Sequence, residues 1–277
     1  MTLTDALRRA AAAGLDRLDA QMLLLLALDR DLNHRAWLLA HDTDPLPAEA
    51  ATRYADLVHR RLAGEPVAYL AGAKAFFGLH LQVDPRVLVP RPDTETLVQW
   101  ALDTLAPPPV QARFLDLGTG SGAIALAVKA QRPDVAVTAT DASADALAVA
   151  RANAERLGLA VDFHQGSWLA AVPGQRFDVI TSNPPYIAEG DPHLPALRHE
   201  PLSALTAGAD GLDDMRTIIA HAHHALRPGG WLLLEHGHDQ AQAVRGLLDQ
   251  QGFEAAVSRT DLAGIERCSG ARWPQQR

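Results

Sequence analysis

Phe114-Leu115-Asp116-Leu117-Gly118-Thr119-Gly120-Ser121-Gly122 runs from an apolar strand pattern through a glycine turn into a helix that begins near Ala123. Glycines suit such a turn because a side chain would block the approach of a ligand to the backbone amides. The spacing discriminates between ligands. A dinucleotide fold uses G-x-G-x-x-G and seats pyrophosphate on the helix N-terminus. Here the third glycine comes one residue early, giving D-x-G-x-G-x-G. Taken alone, the pattern also fits a plain tight turn.

The surrounding pattern supports a strand–turn–helix. Short apolar runs alternate with helical segments, and Arg113 to Leu117, Val135 to Thr140, Val161 to His164, Phe177 to Thr181 and Trp231 to Glu235 read as strands. That alternation predicts an α/β fold, a parallel sheet covered by helices. Phe253 to Trp273 reads as two further strands, the last without a preceding helix and therefore suited to antiparallel pairing.

Upstream, residues 1–72 read as a small helical domain, with Thr4 and Asp5 as caps, a leucine-rich second helix, and Pro45 and Pro47 as breaks. Tyr54, Leu57, Val58 and Leu62 form one apolar stripe on a third helix. Residues 73–90 alternate in hydropathy around Gly78 and Asp84-Pro85 and read as a hairpin linker. The remainder, 91–277, opens with Pro92-Asp93-Thr94-Glu95 at the start of a helix that Pro107-Pro108-Pro109 stops.

Composition narrows the function classes. Of 277 residues, 48% are hydrophobic and 21% charged, as in an ordinary globular protein. The formal net charge of -8 opposes an undirected grip on nucleic acid, which depends on basic residues to displace counterions from phosphate. Cys268 is the only cysteine, so no intrachain disulfide can form. Arginines interrupt the N-terminal segment where a signal peptide needs an apolar run, and Met22 to Leu28 is far too short to span a bilayer. A cytoplasmic protein with no membrane association is the expectation.

Two further positions complete a ligand site. Asp141 ends the next strand, 23 residues after Gly118, where a carboxylate can accept both hydroxyls of a ribose or else cap the helix from Ser143. D-x-G-x-G-x-G with that acid resembles the cofactor loop of class I methyltransferases, whose cofactor is S-adenosylmethionine. Ser167-Trp168 ends the third strand, from which such enzymes reach adenine; Trp168 offers a flat face for it or for core packing.

Asn183-Pro184-Pro185-Tyr186 follows the strand from Phe177, at the carboxyl end where open α/β sheets bind ligands. Its prolines stiffen the backbone and remove two amide donors, leaving carbonyl acceptors. A conjugated nitrogen shares its lone pair with a π system and attacks a sulfonium methyl poorly unless it is held in line and polarised. The Asn183 side-chain oxygen and the Pro184 carbonyl can each take one N–H of such a target. The Tyr186 ring can pack on the planar group. No side chain with a shifted pKa is required.

With these motifs, the chain resembles the HemK/PrmC enzymes over nearly its whole length. The likeness extends through Arg61-Leu62-Ala63-Gly64-Glu65-Pro66-Val67-Ala68-Tyr69-Leu70, Val89-Pro90-Arg91-Pro92-Asp93-Thr94-Glu95, Glu200-Pro201-Leu202-Ser203-Ala204-Leu205 and Leu232-Leu233-Leu234-Glu235-His236-Gly237. The resemblance implies a Rossmann-like, seven-stranded, mostly parallel sheet behind a helical substrate-recognition domain and a hairpin. It implies methyl transfer to the glutamine amide of the Gly-Gly-Gln motif in class 1 peptide-chain release factors. Implied cofactor contacts are Gly118, Thr119, Gly120, Ser121, Gly122, Asp141, Trp168 and Asn183. Asn183, Pro184, Pro185, Tyr186 and Arg91 would hold the substrate, Arg91 as part of the site wall or as a helix-entry turn held by Asp93. The segment from Gly264 departs from the family pattern, with Cys268-Ser269-Gly270-Ala271 where a more regular strand is expected.

The nearest alternative is an adenine-N6 DNA or RNA methyltransferase, because the same clamp suits an exocyclic amine. The sequence lacks a basic cluster and a target-recognition segment for flipping a base. A non-catalytic binding protein on the same fold is the alternative from another class. His221, His223, His224, His236 and His238 invite a metal reading, but ligand spacing with acidic or cysteine partners is missing; a solvated helix and a loop are expected there, with no metal.

Overall fold

The computed structural model describes residues 1–107 and 111–275. Pro108 and Pro109 of the helix-stopping triplet, and the last two residues of the 91–277 segment, lie outside the described residues. Two compact units emerge: Met1–Gly72 with Pro195–His199, and Ala73–Leu194 with Glu200–Arg277.

The first unit contains α1 (Leu3–Ala12), α2 (Arg17–Ala27), α3 (Arg35–Ala40), α4 (Ala48–Leu62) and α5 (Val67–Ala71). The cap of α1 is Thr2 rather than Thr4: Asp5 N–H donates to Thr2 Oγ1 at 3.2 Å and Thr2 N–H donates to Asp5 Oδ2 at 3.0 Å. That reciprocal pair satisfies two otherwise orphaned amides. Asp16 caps α2, which buries Leu23, Leu24 and Leu25 completely. Tyr54 and Leu57 of α4 are buried against it, and the Tyr54 hydroxyl donates to the Ala20 carbonyl at 3.2 Å. Leu62 departs from the expected stripe and is 45% exposed, because it is the last residue of its helix.

In the Arg61–Leu70 motif, Arg61 Nε donates to Asp19 at 2.7 Å and Arg60 pairs with Glu65. The carbonyl of Ala63 accepts from Arg198, which fastens the 195–199 segment. The motif therefore holds its own unit together.

The second unit begins with a hairpin, β1 (Ala73–Phe76) and β2 (Leu79–Gln82), followed by α6 (Thr94–Thr104), β3 (Arg113–Leu117), α7 (Ala123–Gln131), β4 (Ala136–Asp141), α8 (Ala144–Leu157), β5 (Asp162–Gln165) and β6 (Phe177–Ser182). Then come α9 (Asp213–Ala222), β7 (Leu226–Glu235), α10 (Ala241–Gln250), β8 (Glu254–Thr260) and β9 (Glu266–Arg272). The hairpin read as a joint packs wholly within this unit: buried Asn153 of α8 accepts from Gln82 N–H at 2.7 Å and returns a bond to the Gln82 carbonyl at 2.9 Å.

Among the described residues seven strands form one sheet, in the order β5-β4-β3-β6-β7-β9-β8. β3 pairs in parallel with both β4 and β6, so the strand order reverses there and a crevice opens at the carboxyl ends. Two apolar layers cover the sheet. Phe114 and Val179 face α6 and α7, while Leu115, Leu117 and Ile180 face α9 and α10. β9 runs antiparallel to both neighbours. Its small residues pair without interruption along β7, while the register with β8 shifts twice; a Cβ on Gly270 would meet Leu233 Cδ2 at 2.5 Å and the Leu232 carbonyl at 2.9 Å. Among the described residues, no helix is long and apolar enough to cross a membrane.

Candidate active site

A cavity of about 350 Å³ opens at the carboxyl ends of β3, β4, β5 and β6. Gly118, Gly120, Asp141, Trp168, Asn183 and Pro185 line it, so residues from four separate stretches of sequence meet around one cavity. Arg86 to Leu88, Ser143, Pro201, Ser203, Ala204 and Asp214 complete the lining.

The loop after β3 is shaped by glycine torsions and backbone hydrogen bonds. Gly118, Gly120 and Gly122 have φ of 69°, 56° and 85°, a region that glycine enters without a Cβ penalty. Thr119 N–H donates to the Thr140 carbonyl at 2.9 Å and Gly122 N–H to the Thr119 carbonyl at 2.8 Å. At Gly118 a Cβ would meet the Trp168 ring at 3.1 Å, whereas at Gly120 it would meet nothing within 4 Å. The first glycine thus admits the indole and the second opens to the cavity.

Thr119, Ser121 and Gly122, expected as cofactor contacts, do not belong to the lining. The Thr119 hydroxyl turns inward and donates to Asp116 Oδ2 at 2.7 Å. Ser121 is buried, and its carbonyl accepts from Asn153 at 3.0 Å. Gly122 starts α7 and packs on Leu126. Asp116 is fully buried, and burial pushes its carboxyl up to about 7, opposed by bonds from Thr119 and Thr181. An acid inside an apolar strand was the available signal for that role.

Asp141 binds the loop as well as facing the cavity. One carboxylate oxygen accepts Gly120 N–H at 2.9 Å and the other accepts Ser143 N–H at 2.9 Å. Ser143, not Asp141, caps α8 through a bond from Ala146 N–H at 3.1 Å. Trp168 adopts φ of 46°, unusual for a bulky residue and in keeping with strain held at a site. Asp214, unremarked in the sequence, hydrogen-bonds Trp168, and burial raises its carboxyl above the usual range.

At the end of β6, Pro184 and Pro185 are buried and Asn183 is half-buried; Asn183 and Pro185 line the cavity, whereas Pro184, expected to hold the substrate, does not. Asn183 Nδ2 donates to Thr94 Oγ1 at 3.3 Å, while its buried Oδ1 has no partner. Glu235, 2% exposed, lies beside it, and burial pushes the carboxyl up to about 7. Tyr186 does not line the cavity: its ring packs on the layer formed with α9 and α10, and burial pushes its hydroxyl up to about 12. Gln240 Nε2 donates to the Tyr186 carbonyl at 3.0 Å and holds the loop in place.

Arg91 also stands outside the lining. It is held by Glu200 rather than Asp93, at 2.5 Å, and Glu200 accepts Val89 N–H at 3.0 Å. With its side chain only 3% exposed, Glu200 ties the 89–91 segment to the 201–204 turn that forms one cavity wall.

His223 and His224 lie ring to ring at 3.7 Å, and His223 is tilted against Trp273 at 5.3 Å. His236 lies in a loop after β7 and is fully buried, with Nε2 2.8 Å from Ser269 Oγ. Among the described residues no group of three or more His, Cys, Asp or Glu side chains could hold a metal ion.

Comparison with known proteins agrees with the architecture. A family model described as methyltransferase small domain matches residues 94–199, and one described as PrmC N-terminal domain matches residues 2–72. The release factor glutamine methyltransferase of Burkholderia pseudomallei is 52% identical over 275 residues, covering 95% of this chain and 94% of that one. Its Bordetella pertussis counterpart is 52% identical over 266 residues, covering 94% and 96%. A Pyrococcus furiosus methyltransferase structure shares the fold, with a TM-score of 0.56 at 22% identity over 80% of this chain and 100% of that one. With half of its residues shared along nearly the full length of such relatives, the chain belongs to the release factor glutamine methyltransferase family.

Proposed function

We propose that this enzyme transfers a methyl group from S-adenosylmethionine to the side-chain amide nitrogen of the glutamine in the Gly-Gly-Gln motif of class 1 release factors. The observation that carries the reading is the buried, unpartnered Oδ1 of Asn183, set at the cavity that Gly118, Gly120, Asp141 and Trp168 also line. A buried acceptor without a donor is costly in a folded protein, and a primary amide supplies the missing N–H.

The cavity suits the cofactor. Gly120 leaves open space, Asp141 places a carboxylate at the end of β4, and Trp168 offers an aromatic face. When bound, S-adenosylmethionine supplies an electrophilic methyl on a sulfonium. The chain's own residues then orient the acceptor: Asn183 Oδ1 and the Pro184 carbonyl take its two N–H groups. Both acceptors stabilise the positive charge that develops on nitrogen. Buried Pro185 bounds the site, and the Gln240 bond to Tyr186 fixes the loop.

Incubation of the enzyme with labelled cofactor and a purified bacterial release factor tests the activity. Label is expected on the wild-type factor and not on a Gln→Ala variant of its Gly-Gly-Gln motif. Transfer to adenine in nucleic acid instead would overturn the reading. Asp141→Ala is expected to raise the cofactor dissociation constant about 10- to 100-fold, the worth of a charge-assisted bond or two, as measured by calorimetry.

A further inference from the structure

We propose that Thr94 and Glu235 are positioning residues that fix which end of the Asn183 amide faces the cavity. The inference rests on the clamp reading above. A terminal amide has a donor end and an acceptor end of similar size, and rotation by half a turn exchanges them. Only the oxygen can receive an N–H from a substrate amide; the NH2 end would oppose it. Something must therefore hold the nitrogen on the inner side.

The fold places two acceptors there. Thr94 is the first residue of α6, 3% exposed, and its hydroxyl receives Asn183 Nδ2 at 3.3 Å. Glu235 ends β7, and the parallel register Ser182↔Leu234 sets it beside Asn183 on the neighbouring strand. Thr94 and Asn183 both act on its carboxylate to favour the charged form, while one of its oxygens, Oε2, has no partner. The direction follows from proton count. A threonine hydroxyl has one proton, and once that is donated to the carboxylate, only lone pairs remain to meet Asn183. The end of Asn183 that turns inward must then be NH2, which leaves the buried Oδ1 on the other side of the amide, without a partner in the protein, in a residue that lines the cavity.

The arrangement also polarises the amide. Donation from its nitrogen toward a carboxylate in a dry interior strengthens the oxygen as an acceptor. Burial raises the Glu235 carboxyl and the Asp93 charge adds to that, while Thr94, Arg267 and Asn183 act against it; Arg267 itself pairs with Asp93 at 3.4 Å and Asp261 at 3.2 Å.

The test compares Thr94→Val, Thr94→Ser, Asn183→Ala and the double variant Thr94→Val/Asn183→Ala, assayed for release-factor methylation at alkaline pH. Thr94→Val should lower kcat about 10- to 100-fold while the cofactor dissociation constant, read by calorimetry, stays within about twofold. Thr94→Ser should restore kcat. In the Asn183→Ala background, Thr94→Val should add no further loss, because residues acting as a unit are not additive. If Thr94→Val fails to fold, Glu235→Gln carries the same comparison, with a loss of kcat alone and none on top of Asn183→Ala. Normal kcat in Thr94→Val beside an inactive Asn183→Ala would overturn the positioning role and leave the clamp standing. An additive loss in the double variant, or failure of Thr94→Ser to restore kcat, would overturn it too. Full activity in Asn183→Ala would instead remove the clamp reading itself.

Discussion

Asn183→Ala is expected to lower kcat for release-factor methylation about 10²- to 10³-fold, the effect of deleting one preorganised group that meets charge developing in a transition state. Folding should change by only about 1–2 kcal/mol, because the side chain meets just the Thr94 hydroxyl, at 3.3 Å, and the Glu235 carboxylate, and lies half-buried at the end of a strand. Cofactor binding should persist, since Gly118, Gly120, Asp141 and Trp168 are untouched. The pattern to look for is a loss in kcat with a small change in melting temperature, measured on the same preparation. A parallel fall in both would mean that Asn183 acts as a structural residue.

The second large effect is expected at a position outside the cavity. Gly211→Ala should destabilise the protein by about 2–4 kcal/mol and cut turnover at least tenfold, from a left-handed backbone combined with overpacking and a displaced clamp. Gly211 has φ of 74°, and a Cβ there would meet the Tyr186 carbonyl oxygen at 2.2 Å and Gln240 Nε2 at 2.9 Å. The neighbour that must yield is the backbone of the clamp itself, with the bond that Gln240 Nε2 makes to it at 3.0 Å. Thermal unfolding and kcat, measured together, check this. Wild-type values for both would show that the clamp loop tolerates displacement.

Much of the fold was legible because local rules and the fold agree. β3 occupies the residues read as a strand, and β4, β5 and β6 differ by a residue at their ends. Apolar alternation and glycine spacing are local properties, and the parallel sheet satisfies them without conflict. The departures have equally physical causes. β9 carries Cys268-Ser269-Gly270-Ala271 where the family pattern has a more regular strand, and these small side chains pair along β7. Close approach of β7, with Leu233 against Gly270, leaves no room for larger ones. His236 falls in a loop as expected, yet it is fully buried, and Ser269 on the adjacent strand supplies its partner at 2.8 Å.

Among the site residues, position along the chain was a good guide and side-chain direction a poor one. The glycine loop contributes Gly118 and Gly120 to the cavity but turns Thr119 toward Asp116 at 2.7 Å. Arg91 looked like a wall residue, and Glu200, distant in sequence, takes it at 2.5 Å.

The alternation of apolar strand runs with helical segments specified an α/β sheet, and D-x-G-x-G-x-G, Asp141 and Asn183-Pro184-Pro185-Tyr186, each placed after a strand, put its site at the carboxyl ends. Glycine torsions, strand periodicity and proline restriction act over a few residues, and any chain carrying that pattern obeys them. Which end of the Asn183 amide faces the cavity, why Gly211 must lack a side chain, and what holds Arg91 were decided only when β6, β7 and α6 came together. Hydrogen-bond direction and steric exclusion act across a few ångströms of space, and no spacing along the chain encodes which groups will meet there.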